Sequence, residues 1–122
     1  PLASSGQHFR KEWFGTACCP SNIARLVASV GDYIYAKNEN GIWVNLFIAN
    51  QTEFDLSGEK VAVEMKTNFP WEGKVELEIN PESAKRFPIS LRIPGWIQEN
   101  PVPGKLYSFL DQEKTDFTIM VN

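Results

Sequence analysis

The spacing of hydrophobic residues changes once along this chain, from a helical period to the alternating period of a strand. Ile23, Leu26, Val27 and Val30 lie at positions i, i+3, i+4 and i+7, which places them on one face of a helix predicted over residues 22–31. Beyond this helix, apolar and polar residues alternate in short runs separated by turn residues. The pattern therefore predicts one short helix followed by a mainly β domain.

The ends of the predicted helix are marked by residues with strong conformational preferences. Ser21 or Asn22 is the candidate N-cap, and Gly31 is the candidate C-terminal stop. Pro20 disfavours helical geometry at the residue before it, so we expect Cys19 to be extended. On this interpretation the residues before Pro20 lie ahead of the helix.

The β domain is predicted from short segments rich in β-branched and aromatic residues. Asn40-Gly41, between two of these segments, is a hairpin signal of the primed-turn type. Strands of this length and spacing indicate an antiparallel sandwich or an open barrel. The six predicted strands span residues 33–35, 42–48, 61–65, 75–79, 89–93 and 117–121, with a weaker candidate at 105–110.

Composition and charge restrict the classes of partner. A chain of 122 residues suits one domain, and 43% hydrophobic residues is ordinary for a globular protein. The net charge is −3 and no basic cluster occurs, so we expect neither nucleic acid nor a membrane as a partner. The chain begins at Pro1 in a polar stretch and ends directly after the alternating run at 117–121. We therefore expect it to be a piece of a longer polypeptide.

The only two cysteines, Cys18 and Cys19, are adjacent in the sequence. A disulfide between direct neighbours would close a very small ring, far from the geometry of relaxed bridges. Near a helix N-terminus, free N–H groups and the helix dipole favour the thiolate, which is the form that binds zinc and attacks carbon. The alternative is that both cysteines act as small buried hydrophobic residues.

Two thiolates are too few for a complete zinc site, because structural zinc has four protein ligands and catalytic zinc has three. His8 and Glu12 are the nearest other candidates, but neither stands at a familiar ligand spacing. If the cysteine pair binds a metal, we expect the other ligands on sequence outside this chain.

Five segments of the chain carry a resemblance to a known family. They read WFGTACCPSNIAR at 13–25, GDYIYA at 31–36, WVNLFI at 43–48, TNFPWEG at 67–73 and LRIPGW at 91–96. In this order and spacing they resemble the β-L-arabinofuranosidases of glycoside hydrolase family 127 (GH127), also catalogued as DUF1680. The resemblance covers residues from about 4 to 122.

The resemblance implies a fold and a domain boundary. Members of the family have an (α/α)6-barrel catalytic domain followed by β-sandwich domains. Residues 1–32 would then be the C-terminal end of the barrel with the cysteine segment. Residues 33–122 would be a mainly β domain, an antiparallel, jelly-roll-like β-sandwich that is truncated at its C-terminus.

The resemblance also implies a site. Cys18 would be the nucleophile of a retaining glycosidase and a zinc ligand, and Cys19 would be a second zinc ligand. A glutamate and an upstream cysteine complete the family's zinc site, and a further glutamate is its general acid/base; none of the three has a counterpart here. The parent protein would use Zn²⁺ and act on an arabinose-containing glycan. We expect the 122-residue chain alone to be inactive and to bind Zn²⁺ only weakly.

Four tryptophans are candidates for contact with a sugar. Trp13, just before the cysteines, is the candidate for lining the sugar pocket. Trp43 lies inside a predicted strand and is expected in the core. Trp71 and Trp96 lie at turns, where we expect them to pack under a loop or against the barrel, with stacking on a sugar as the alternative.

Two other functions remain open from the sequence. The chain could be an accessory β-sandwich with a structural or carbohydrate-binding role, or part of a zinc–thiolate protein with a structural or redox role. The apolar face of the predicted helix, if uncovered, would favour a homo-oligomer.

Overall fold

The computed structural model describes residues 15–98, 102, 104, 106–110 and 116–122. The chain divides into two compact units between Tyr33 and Ile34. Within the described residues, no helix is both long and apolar enough to cross a membrane. The elements are α1 (Cys18–Ser29), α2 (Gly31–Ile34), β1 (Tyr35–Lys37), β2 (Ile42–Val44), β3 (Asn50–Leu56), β4 (Glu59–Thr67), β5 (Val75–Pro81), β6 (Ile89–Leu91) and a 3-10 helix (Gly95–Gln98).

Helix α1 begins earlier than the sequence predicted, at Cys18 instead of residue 22. Ala17 is the N-cap and makes no capping hydrogen bond with its side chain. Pro20 therefore lies in the first turn, where a missing N–H removes no intrahelical hydrogen bond. The predictions of an N-cap at Ser21 or Asn22 and of an extended Cys19 are wrong, because proline restricts a helix interior far more than a helix start.

The C-terminal end of α1 also differs from the prediction. The helix ends at Ser29, with Val30 as its C-cap in the right-handed helical region. Gly31 is not the residue at which α1 ends; it is the first residue of the single helical turn α2. No residue of α1 is buried, and Ile23, Leu26 and Val27 are 59–67% exposed.

The described residues of the second unit form two three-stranded sheets. In the first, β2 pairs antiparallel with β1 and parallel with β6; in the second, β4 pairs antiparallel with both β3 and β5. Side chains from both sheets meet in two hydrophobic clusters, and in the first of them Ile42 of β2 lies with Leu56, Val61 and Val63. Val44 of β2 likewise clusters with Met65 of β4 and with Ile34. This arrangement confirms the predicted mainly β, sandwich-like fold.

Among the described residues, a primed turn occurs between β3 and β4 and not at the predicted position between β1 and β2. At Ser57-Gly58, between β3 and β4, both residues have positive φ, 57° and 83°, as a primed turn requires. At residues 38–41 the loop has four residues, and Asn38 Oδ1 accepts hydrogen bonds from the N–H groups of Asn40 (2.8 Å) and Gly41 (3.0 Å). The primed turn predicted at Asn40-Gly41 is therefore wrong, because the Asn38 side chain organises that loop.

Several strand predictions differ from the structure, and the first is at 33–35, where Tyr33 and Ile34 belong to α2 and only Tyr35 lies in a strand. Strand β2 ends at Val44 because the next two N–H groups, of Asn45 and Leu46, donate to the carbonyl oxygen of Ile34 at 2.8 and 3.2 Å. Strand β3 was not predicted, because its outward positions are strongly polar. Residues 117–121 form no strand, since within the described part of the chain no strand pairs with them. The same holds for 106–110 of the weaker candidate.

Candidate active site

The two cysteines lie in the first turn of α1, and both are exposed free thiols. Their Sγ atoms are 3.7 Å apart. The prediction of two thiols presented side by side is therefore met by the geometry, whereas the alternative of two small buried hydrophobic residues is wrong. The two thiols share the exposure of the rest of α1, in which no residue is buried.

The separation of the two sulfur atoms fits one metal ion. Two thiolates on a tetrahedral zinc, each at about 2.3 Å, lie about 3.8 Å apart. The observed 3.7 Å matches this value without a change of side-chain conformation. The pair can therefore occupy two positions of a zinc coordination sphere.

Hydrogen bonds from the next turn converge on the backbone of Cys18. Asn22 Nδ2 donates to the Cys18 carbonyl oxygen at 2.8 Å. The Ser21 hydroxyl lies 3.1 Å from the same oxygen and 2.9 Å from the Ala17 carbonyl oxygen. These two residues were predicted as caps for N–H groups, but their side chains bond to carbonyl oxygens instead.

The charges around the thiols are favourable for an anion. The first-turn N–H groups of α1 have no intrahelical acceptor, and no acidic residue lies in that turn. Among the described residues, no three histidine, cysteine or acidic side chains cluster closely enough to hold a metal. The other candidates, His8, Glu12 and Trp13, lie outside the described residues.

An open apolar groove runs from the second thiol along α1. The residues of the predicted apolar stripe form only part of this groove, because small residues at other positions of the helix also line it. Its lining residues are Thr16, Cys19, Pro20, Ile23, Ala24, Val27 and Ala28. Cys19 thus borders an apolar surface on one side.

The family model for the GH127 middle domain of β-L-arabinofuranosidases matches residues 41–122, which is more than half of the chain. The chain belongs to the GH127 family. A curated relative, the non-reducing end β-L-arabinofuranosidase of Bifidobacterium longum subsp. longum, is 50% identical over 94 residues. That match covers 71% of this GH127 chain and 14% of the relative.

Two solved GH127 structures are similar to the chain. The β-arabinofuranosidase BT3674 is 42% identical, with a TM-score of 0.77 over 93% of this chain and 18% of that one. The β-L-arabinofuranosidase from Geobacillus stearothermophilus T6 is 43% identical, with a TM-score of 0.65 over 74% of this chain and 14% of that one. The predicted family is therefore confirmed, and the chain spans less than a fifth of the length of these relatives.

The three described tryptophans of the GH127 sandwich differ in exposure, and the clearest departure from prediction is Trp43. Trp43 is 36% exposed and lies between buried Ile42 and Val44, so it faces outward and the prediction of a core residue is wrong. Trp96 stacks on Phe69, with ring centroids 6.2 Å apart, and is half exposed. Trp71 is 85% exposed, so within the described residues it does not pack under its loop.

Proposed function

We propose that this chain is part of a retaining β-L-arabinofuranosidase in which the thiolate of Cys18 is the nucleophile. The observation that carries the proposal is the pair of free, exposed thiols 3.7 Å apart in a chain of the GH127 family. The relatives named above as β-L-arabinofuranosidases supply the substrate class, a terminal β-L-arabinofuranosyl group on a glycan.

The proposed reaction makes and breaks bonds at one carbon. Cys18 Sγ attacks the anomeric carbon, and the glycosidic C–O bond breaks as its oxygen takes a proton from a general acid. A water molecule then attacks the same carbon while the deprotonated general acid takes a proton from it, the C–S bond breaks, and the Cys18 thiolate is restored. Two inversions at one carbon retain its configuration, which is the outcome that the family resemblance implies.

Cys18 and Cys19 fit two positions of a zinc site, and the resemblance assigns the remaining ligands to sequence outside this chain. Zinc, when bound, keeps a coordinating thiol deprotonated at neutral pH. Because two thiolates supply only part of the ligand set, we expect the 122-residue chain alone to bind Zn²⁺ weakly. We also expect it to be inactive, since a general acid/base contributes typically about 10²–10⁴-fold and is assigned to a glutamate elsewhere.

The test measures L-arabinose released from a β-L-arabinofuranosyl substrate by the full-length protein and its Cys18→Ser variant. The proposal predicts activity in the wild type and its loss in Cys18→Ser. Ser29→Ala, in the last turn of the same helix, is the control and should keep its activity. Equal activity of wild type and Cys18→Ser would contradict a role for Cys18 as nucleophile.

A second candidate function is an accessory carbohydrate-binding role for the sandwich, favoured by the exposure of Trp71 and Trp96. Flat aromatic rings at a surface can stack on the apolar face of a sugar. Affinity electrophoresis of this chain in gels with arabinose-containing glycan tests it. Retardation that is lost in Trp71→Ala supports the binding role, and unretarded migration of the wild type contradicts it.

A third candidate function is that of a zinc–thiolate protein with a structural or redox role. The arabinose assay distinguishes this function from that of a glycosidase. Zinc retained by the full-length protein without any glycosidase activity would favour it. Activity that depends on Cys18 would exclude it.

A further inference from the structure

The carbonyl oxygen of Cys18 lies within hydrogen-bond distance of two side-chain donors. In an α-helix this oxygen is already placed to accept the backbone N–H of the residue four positions later. Here it also accepts Asn22 Nδ2 at 2.8 Å and lies 3.1 Å from the Ser21 hydroxyl. That hydroxyl is shared with the Ala17 carbonyl oxygen at 2.9 Å. Two consecutive side chains therefore bond to the backbone that carries the first thiol.

The peptide between Cys18 and Cys19 is the only covalent link between the two Cβ atoms, so its orientation helps to set the separation of the thiols. The Cys18 carbonyl group belongs to that peptide, and fixing its oxygen fixes the peptide plane. The first turn of a helix tends to fray, and Ala17 offers no side-chain cap to prevent this. The side chains of Ser21 and Asn22 supply the missing restraint.

We propose that Ser21 and Asn22 are positioning residues that hold Cys18 and Cys19 in a geometry ready to chelate one thiophilic atom. Their hydrogen bonds keep the Cys18–Cys19 peptide helical and the two Sγ atoms 3.7 Å apart. The importance of this geometry for zinc rests on the proposed function, but the geometry itself can be measured without any glycosidase activity.

The last turn of α1 contains a matched arrangement far from the thiols. Ser29 Oγ lies 2.9 Å from the carbonyl oxygen of Arg25 and 3.4 Å from that of Leu26. This is the same bonding pattern that Ser21 makes in the first turn. Ser29→Ala therefore removes a hydrogen bond of the same kind from the same helix, without touching the backbone of the cysteines.

The experiment measures the affinity of this chain for phenylarsine oxide. The arsenic forms one bond to each of two thiols and releases one water molecule, so tight binding requires both sulfur atoms on one arsenic. Because a hydrogen bond has a net worth of about 0.5–1.5 kcal/mol, we expect Asn22→Ala and Ser21→Ala to bind about three- to tenfold more weakly. Asn22→Ser should restore most of the affinity, since its hydroxyl can donate to the same oxygen. Ser29→Ala should bind like the wild type.

Two further readouts separate positioning from general helix stability. Alanine has a higher helix propensity than serine or asparagine, so any fall in helix content by circular dichroism in the alanine variants should be no larger than the first turn of α1. Alkylation of the thiols one at a time by iodoacetamide needs no chelating geometry and should be unchanged.

Equal arsenical affinity in the wild type, Asn22→Ala and Ser21→Ala would overturn the proposal, as would weaker binding that Asn22→Ser fails to restore. Neither outcome bears on whether Cys18 is the nucleophile, which the arabinose assay decides separately.

Discussion

Gly41 approaches Pro88 so closely that any side chain at position 41 would force one of the two residues to shift. A Cβ atom on Gly41 would lie 2.6 Å from the Pro88 carbonyl oxygen and 2.8 Å from its Cγ. The same carbonyl oxygen accepts the N–H of Ile42 at 3.2 Å, at the start of the parallel pairing of β2 with β6. The contact therefore joins the first hairpin to a strand 47 residues later in the sequence.

Replacing Gly41 by alanine should destabilise the sandwich by about 1–3 kcal/mol, because the added methyl group forces the backbone at Pro88 to move. Urea unfolding of the wild type and Gly41→Ala measures the difference. Gly73→Ala is the control, since a Cβ at Gly73 meets nothing within 4 Å. Equal midpoints for Gly41→Ala and the wild type would contradict the close contact.

The outward position of Trp43 predicts opposite results for lysine at two neighbouring residues. Trp43→Lys should still unfold cooperatively, because a lysine there can reach water. Val44 is 1% exposed, so Val44→Lys would bury a charge and should abolish the cooperative transition of a domain whose stability is about 5–15 kcal/mol. Thermal unfolding followed by circular dichroism tests the pair. Failure of both variants to fold would return Trp43 to the core.

Partial burial raises the pKa of Tyr35 above the ordinary tyrosine value. The folded state therefore holds this proton more tightly than the unfolded state. The contribution of neutral Tyr35 to the free energy of unfolding is fully present below about pH 10. It is lost as the pH rises through the pKa of Tyr35 in the folded state. Unfolding free energies measured above pH 10 should fall more steeply in the wild type than in Tyr35→Phe. Parallel slopes would show that Tyr35 is not the group responsible.

The exposed apolar face of α1 predicts that the 122-residue chain associates with itself. Ile23, Leu26 and Val27 are each more than half exposed. Sedimentation velocity of the 122-residue chain should show association that increases with concentration and weakens in Leu26→Ala. Arg25→Ala, a truncation on the same helix away from this face, should leave the association unchanged. A monomer at every concentration would contradict the prediction.

Elements whose hydrophobic pattern is strong could be predicted from the sequence. The stripe from Ile23 to Val30 predicted α1, and the alternation at 61–65 and 75–79 predicted the centres of β4 and β5. Strand β3 was not predicted, because its outward residues include the charged Glu53, which forms an ion pair with Lys60 of β4 at 3.0 Å. An ion pair across two strands leaves no signal in either segment read alone.

The sequence by itself determined the family and the two side chains of the candidate thiol pair. The five segments identify the family, and the adjacent cysteines identify the thiol pair. Both depend on residue identity and order along the chain, which can be read without knowing which segments contact one another. The sequence could not decide how Ser21 and Asn22 are used, since a donor near a helix end can bond N–H groups or carbonyl oxygens depending on where the helix begins.

Only the tertiary structure decided which face of β2 is buried, where β2 ends and whether 117–121 pairs. A strand forms only where a neighbour accepts its hydrogen bonds. The position of Trp43 follows from register with β1 and β6, which places Ala36 and Ser90 beside it. Register and pairing are relations between distant segments, so local pattern specifies which residues favour a strand but not which strands they form.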